Sequence, residues 1–431
     1  MQSDSARQFL VRLFEQAVAA AHPNASLPAH LPTPPAKGRL IILAAGKGAG
    51  AMAEVAERHY LDVCKVPPDR LAGIAVARHG YGRPTRVVRM VEAGHPMPDA
   101  AGLQAASDIL DLADGADADD LVLVLMSGGA SANWIAPAPG LSFPDKQAVT
   151  RALLRSGASI GEINTVRKHL SRIKGGRLAR HAFPARVVTL AISDVPGDDP
   201  AVIGSGPTVP DPTTLADARA IVARYKLDVP QAVHRALADP ANESPKPDDP
   251  AFANTAYALV ARPADAFRAT EAAVREAGYD CIFLGDQVEG EARDVATAHA
   301  ARALTLQGQG KRAAILSGGE LTVTIRGDGH GGPNQEYALA LALALDGSRG
   351  IAALSGDTDG TDGGAGKADD PAGAIVDGAT AGRARDLGLD PAAYLAANNS
   401  TEFFARLGDL LQTGPTFTNV NDFRAILVDR P

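Results

Sequence analysis

Lys47 is the residue best placed to do chemistry. It stands between Gly46 and Gly48, after the apolar run Leu40–Ala45 and before an Ala-rich stretch of helical composition. A strand that ends in glycines and feeds a helix brings backbone N–H groups and the positive end of a helix dipole to one point. That suits a phosphate or a carboxylate. The same spacing matches the relaxed dinucleotide fingerprint G-x-G-x-x-A. One cation on a glycine turn therefore admits two chemistries, phosphoryl transfer and hydride transfer.

Three further groups of residues could serve such a site. Ser127, Gly128, Gly129 and Ser131 follow the uninterrupted apolar run Leu121–Met126, a second Gly/Ser loop at a strand's end. The segment 162–180 carries Arg167, Lys168, Arg172, Lys174 and Arg177, and helical spacing puts Arg167 and Lys174 on one side with Asn164 just before them. Acidic loops follow two other strands: Asp194, with Asp198 and Asp199, and then Asp357, Asp359 and Asp362, with Asp369 and Asp370. Carboxylates suit Mg²⁺, which takes oxygen ligands, and neither loop has the twelve-residue calcium-hand pattern. Cys64 and Cys281 form no C-x-x-C, which argues against a cysteine zinc site or a disulfide scaffold and for a reducing cytoplasm.

A dinucleotide site predicts an acidic residue closing the second strand. Here residues 71–77 run into Arg78 and His79, so only a 2′-phosphate on Arg78 would fit; His95 and Arg167 would have to act as base and carboxylate clamp. Phosphoryl transfer lacks the G-x-x-x-x-G-K-[ST] loop and the protein-kinase motifs, yet positioning and charge neutralisation suffice for it. A serine hydrolase is disfavoured, since G-x-S-x-G is absent.

The elements that must hold these residues follow from pattern. A chain of 431 residues exceeds one ordinary core. Its net charge of −8 argues against a nucleic-acid partner, and no apolar run reaches membrane length. Phe9, Leu10, Leu13, Phe14 and Val18 make an amphipathic first helix. Strands expected at 40–45, 71–77, 86–92, 121–126 and 187–192 alternate with helices, the pattern of a parallel sheet. Residues 239–250 are polar and Pro-rich and read as a linker between domains 1–240 and 251–431. Beyond it strands are expected at 256–260, 280–284, 313–316, 351–354 and within 413–429, with 321–325 pairing back as a hairpin and a helix opening at Pro333.

Several of these stretches together resemble a known family, the class II glycerate 2-kinases. They are A-A-G-K-G at 44–48, M-S-G-G-A-S at 126–131, I-N-T-V-R-K-H-L-S at 163–171, I-S-D-V-P-G-D-D-P at 192–200, S-G-G-E at 317–320, G-G-P-N-Q-E at 331–336, G-D-T-D-G-T-D-G at 356–363 and T-N-V-N-D at 418–422. The resemblance implies an α/β fold of two domains, a Rossmann-like three-layer N-terminal domain and a smaller C-terminal MOFRL domain with a mixed sheet. It implies ATP-dependent phosphorylation of D-glycerate to 2-phosphoglycerate, with Mg²⁺ or another divalent cation, in an interdomain cleft. A small hydroxy acid and ATP are then the partners, and a homodimer stays open. Relatives also carry a hydroxypyruvate reductase label, and NAD(P)H-dependent reduction is the alternative. Lys47 matches the family's catalytic lysine. The family's second catalytic cation, an arginine, falls where this chain has Pro333, so either Arg326 or Lys367 is expected to replace it or no second cation is needed. The motifs extend the expected substrate and phosphate contacts to Ser317, Gly318, Glu320, Asn334, Gln335, Glu336, Asn419 and Asn421.

Overall fold

The computed structural model describes residues 3–364 and 367–430. The chain divides into two compact units, Ser26–Val260 and a second made of Met1–Ala25 with Ala261–Pro431.

The first unit is built on strands β1 (Leu40–Ala45), β2 (Leu71–Arg78), β3 (Arg89–Ala93), β4 (Leu121–Met126), β5 (Arg186–Ile192) and β6 (Thr255–Ala261), in the order β3-β2-β1-β4-β5-β6. The pairs linking β1 to β5 are parallel. Every residue of β1 and β4 is buried, which is why their sequences are unbroken apolar runs rather than alternating ones. Helix Ala100–Asp114 packs on this sheet and opens with the Asp99 carboxylate accepting the Gly102 N–H at 3.0 Å. Helices Phe143–Arg155 and Ile160–His169 both start with capping boxes, Ser142 with Asp145 and Ser159 with Glu162. The strand order reverses between β1 and β4, and in open parallel sheets that crevice is where ligands bind.

The second unit holds β7 (Asp280–Phe283), β8 (Gly290–Glu291), β9 (Ala313–Gly319), β10 (Leu321–Thr322), β11 (Ile351–Asp357), β12 (Gly373–Asp377), β13 (Leu410–Leu411) and β14 (Asp422–Val428). Its main sheet runs β13-β12-β11-β14-β9-β7 and is mixed: β7 and β9 are parallel, the other pairs antiparallel. The expected fold class, a parallel N-terminal sheet and a mixed C-terminal one, is therefore what the chain adopts.

Three expectations are corrected. Residues 321–325 do not fold back on the preceding strand; Leu321 and Thr322 pair in parallel with Gly290 and Glu291. Gly319 sits at φ 105° and turns the chain out of the main sheet at the end of β9 instead of into a tight hairpin. The linker expected at 239–250 is part of the first unit, held by Arg177 on the Asn242 carbonyl and by the Arg180–Asp249 ion pair, and the chain changes unit only after β6. The first helix, Ser3–Ala21, belongs to the second unit, not to a domain 1–240. Its buried face carries Leu10, Leu13, Phe14 and Ala17; Phe14 meets Phe423 edge-on at 6.2 Å, and Phe9 stacks on Tyr279 at 6.1 Å.

Candidate active site

The loops after β1 and β4 are tied to each other. Ser127 N–H donates to the Ala45 carbonyl at 3.0 Å, Lys47 N–H to the Gly128 carbonyl at 2.8 Å, and Gly48 N–H to the Ser127 hydroxyl at 2.8 Å. Gly46 N–H bonds the Val76 carbonyl and Ala49 N–H bonds Gly46. The amides of Gly46, Lys47 and Gly48 are thus all spent inside the protein. This corrects the expectation that Gly46 and Gly48 offer N–H groups to a phosphate. Gly46 is required for another reason: it has φ 115°, and a Cβ there would collide with the Ser127 carbonyl and hydroxyl.

What the turn presents is the side chain of Lys47, half-buried beside Gly129. A Cβ at Gly129 would lie 3.5 Å from Lys47 Cγ and 2.9 Å from the His95 imidazole, so the two side chains flank this glycine. Sequence reasoning joined His95 to Arg167 for hydride transfer; the structure sets it beside Lys47. It lies some fifty positions from Lys47 in sequence, and only the β1–β4 crevice brings the two together.

The basic segment converges on the same loop. Lys174 Nζ donates to the Ser131 carbonyl at 2.8 Å and Arg167 donates to it at 3.4 Å. Ser131 and Ser205 hydroxyls meet at 2.8 Å, and Ser205 donates to Asn164 Oδ1 at 3.2 Å. Lys146, also missed from sequence, caps the end of helix Ile160–His169 by donating to the Arg167 and Leu170 carbonyls at 3.1 and 3.0 Å. Burial pulls the Lys146 and Lys174 ammonium groups well below their ordinary range, and neighbouring Arg167 adds to this. Arg167 is also lowered by burial, yet remains half-buried and closest to solvent of the three. Lys174 is 1% exposed, so it supports the loop from behind rather than reaching a ligand directly.

In the second unit most of the expected contact residues turn inward. The Asp362 carboxylate accepts the Asn334 and Gln335 N–H groups at 3.0 and 2.8 Å, capping helix Pro333–Ala344. Asn334 Nδ2 also donates to Asp422 at 2.6 Å, and its Oδ1 accepts from Ser355 at 2.6 Å. Gln335 bonds Asp362 and Thr401, while Glu336 takes Arg293 and Asn398. Ser317 and Gly318 lie within β9, where Arg424 of β14 donates to the Ser317 hydroxyl and the Gly318 carbonyl. Asn419 Oδ1 accepts the Asn421 N–H, and the Asn421 carbonyl accepts from Thr358. Polar residues expected to touch substrate are thus holding the helix start and the acidic loop in place. Glu320 and Arg326 are exposed, and the Arg326 backbone is pinned by Asn398 Oδ1 at 2.7 Å. Pro333 occupies the first turn of its helix, where its missing N–H costs nothing.

Asp362 is corrected from metal ligand to cap, since both its oxygens face helix donors. Burial, with the charge of Asp422, pushes its carboxyl up to about 7. Asp359 Oδ1 accepts from Thr361, and Asp357 Oδ1 accepts the Asp359 N–H at 2.9 Å. Asp194 lies in the other unit, just past β5. Among the described residues no group of three or more His, Cys, Asp or Glu side chains gathers as a metal cage.

Residues 9–238 match the DUF4147 family, described as a domain of unknown function, and residues 313–422 match the MOFRL family. The D-glycerate 2-kinase of Thermotoga maritima is 37% identical over 97% of this chain and 97% of its own length. This chain belongs to the MOFRL glycerate kinase family. A crystal structure of the Thermotoga maritima glycerate kinase covers 99% of the chain and 100% of its own, with a TM-score of 0.86 at 37% identity. An Agrobacterium vitis protein named "Putative hydroxypyruvate reductase" is 48% identical over 98% of this chain and 95% of its own length. Within the family framework, the crevice at β1 and β4 offers no open pyrophosphate cradle at Gly46–Gly48, and β2 closes on buried Arg78, whose guanidinium lies 5.2 Å over the Tyr81 ring. No helix among the described residues is long and apolar enough to cross a membrane.

Proposed function

We propose that the protein phosphorylates D-glycerate on its 2-hydroxyl at the expense of ATP, giving 2-phosphoglycerate and ADP. The observation that carries the reading is Lys47, aimed with His95 at the Gly129 end of the β4 loop. A cation at that point neutralises charge that develops as a phosphoryl group moves, the main task of a phosphotransferase site. The Gly128–Ser131 loop, Asn164 and Arg167 hold the substrate carboxylate. Lys174 holds the loop through the Ser131 carbonyl. Arg326, on an exposed loop, is the second cation. A divalent cation accompanies the nucleotide phosphates, with Asp194, Asp357 and Asp359 as its carboxylate candidates; Mg²⁺ commonly keeps one or two protein carboxylates only.

One paired assay tests this. D-glycerate with Mg-ATP is expected to yield 2-phosphoglycerate, identified by its phosphorus resonance. Hydroxypyruvate with NADH or NADPH is expected to leave the cofactor unoxidised. Cofactor oxidation without phosphoglycerate would overturn the proposal in favour of the reductase.

A further inference from the structure

A second basic cavity lies on the first unit, of about 400 Å³ and lined by Asp114, Ser171, Arg172, Arg177, Arg180 and His181 among others. It stands apart from the Lys47 crevice. Asp114 ends the helix that begins beside Asp99, and fifteen residues of helix separate the two ends by about 20 Å.

Charge is unevenly matched there. Arg180 is paired with Asp249, and His181 meets Asp114 at 2.6 Å. Among the described residues, Arg172 and Arg177 have no carboxylate within ion-pair distance. Arg172 spends only its Nε, on the Pro137 carbonyl at 3.3 Å, and stays half-buried. Arg177 is 8% exposed and is fixed by the carbonyls of Lys168, Lys174 and Asn242. Arg172 keeps its terminal nitrogens for a ligand, and Arg177, whose terminal nitrogens hold backbone carbonyls, adds positive charge beside it, so the cavity suits a tetrahedral oxyanion.

We propose that this cavity is a second anion site, taking the phosphate group of a small phosphate ester or of inorganic phosphate. Its position gives it a route to the catalytic loop. Arg177 holds the Lys174 carbonyl at 3.2 Å, and the Lys174 ammonium holds Ser131. Occupancy that draws Arg177 toward the anion acts on the backbone of Lys174. That coupling rests on the kinase reading; binding itself does not.

The test is calorimetric titration of inorganic phosphate and, separately, of 3-phosphoglycerate, at ionic strength matched with chloride. It uses the wild-type chain and the variants Lys47→Ala, Arg172→Gln and Arg180→Glu. Lys47→Ala is expected to keep the binding event of this cavity, and the two arginine variants to weaken it at least tenfold. Arg180 is exposed, and a thermal melt of each variant separates lost binding from lost folding. Tighter binding of the ester identifies an organic phosphate as ligand, and equal binding identifies the phosphate group alone. Absence of binding by either probe overturns the site. So does binding that is lost in Lys47→Ala and kept in both arginine variants, which would assign the anion to the Lys47 crevice.

Discussion

The Ser127 hydroxyl accepts the Gly48 N–H at 2.8 Å and so locks the loop after β4 to the turn that carries Lys47. Ser127 is fully buried. Replacing it with alanine leaves a buried donor unsatisfied, at a cost of about 1–3 kcal/mol. Chemical denaturation of Ser127→Ala should show that loss, together with a fall in kcat as Lys47 loses its fixed turn.

Lys47→Ala should behave differently. The side chain is half-buried on a loop, so its removal should change stability by no more than about 0.5 kcal/mol. If Lys47 neutralises transferred charge, kcat should fall by about 10²–10³-fold, as for loss of one transition-state donor. Steady-state kinetics with D-glycerate and ATP, beside a thermal melt, separates the two effects. Unchanged kcat would remove Lys47 from the chemistry.

Asp362 makes a prediction about pH. Its carboxyl is raised to about 7 in the folded protein from an ordinary value of 3.8, burial being the first cause. The folded state therefore holds a proton that the unfolded state has released. Stability from this group is complete at acid pH and declines as pH rises toward neutrality, levelling off above about 7. In Asp362→Asn that component of the slope should vanish, read from denaturant midpoints at pH 5, 6, 7 and 8. A variant curve parallel to wild type would refute the assignment.

Arg293 and Glu336 form a largely buried ion pair, with Asn398 also donating to the carboxylate. Arg293→Met strands that carboxylate, and breaking such a pair costs about 3–5 kcal/mol. The loss should appear as a lower unfolding midpoint. A fall in kcat with unchanged stability would instead give Glu336 the substrate role that its motif suggested.

Phe14→Ala should destabilise by about 3–5 kcal/mol, because it opens a cavity against Phe423. The affected amides, measured by hydrogen exchange, should be those of β11 and β14. Loss of protection confined to β1 and β4 would return the first helix to the other unit.

The sequence was most legible where a residue's fate is decided locally. Strands β1 and β4 are unbroken apolar runs, and the loops after them follow from glycine and serine. The second unit was harder. Asn334, Gln335 and Glu336 look like ligands for a substrate, but polarity alone does not say whether a side chain faces a ligand or a neighbouring strand. Asp362 caps a helix that starts 29 positions earlier, a pairing no local pattern encodes. Strand β12 is short and follows an acidic glycine loop, so it lacked enough residues to show a period. His95 met Lys47 only through the order of the strands.

The helix Ser3–Ala21 is synthesised about 400 residues before β14, one of the strands it packs on. At about 5–20 residues per second, its apolar face waits roughly 20–80 s for β14. During that interval the whole first unit can fold on its own, while Phe9, Leu10 and Phe14 remain without their partners. Vectorial synthesis thus makes this amphipathic segment a part of the nascent chain in need of a holding chaperone, since the second unit closes only after the first is complete.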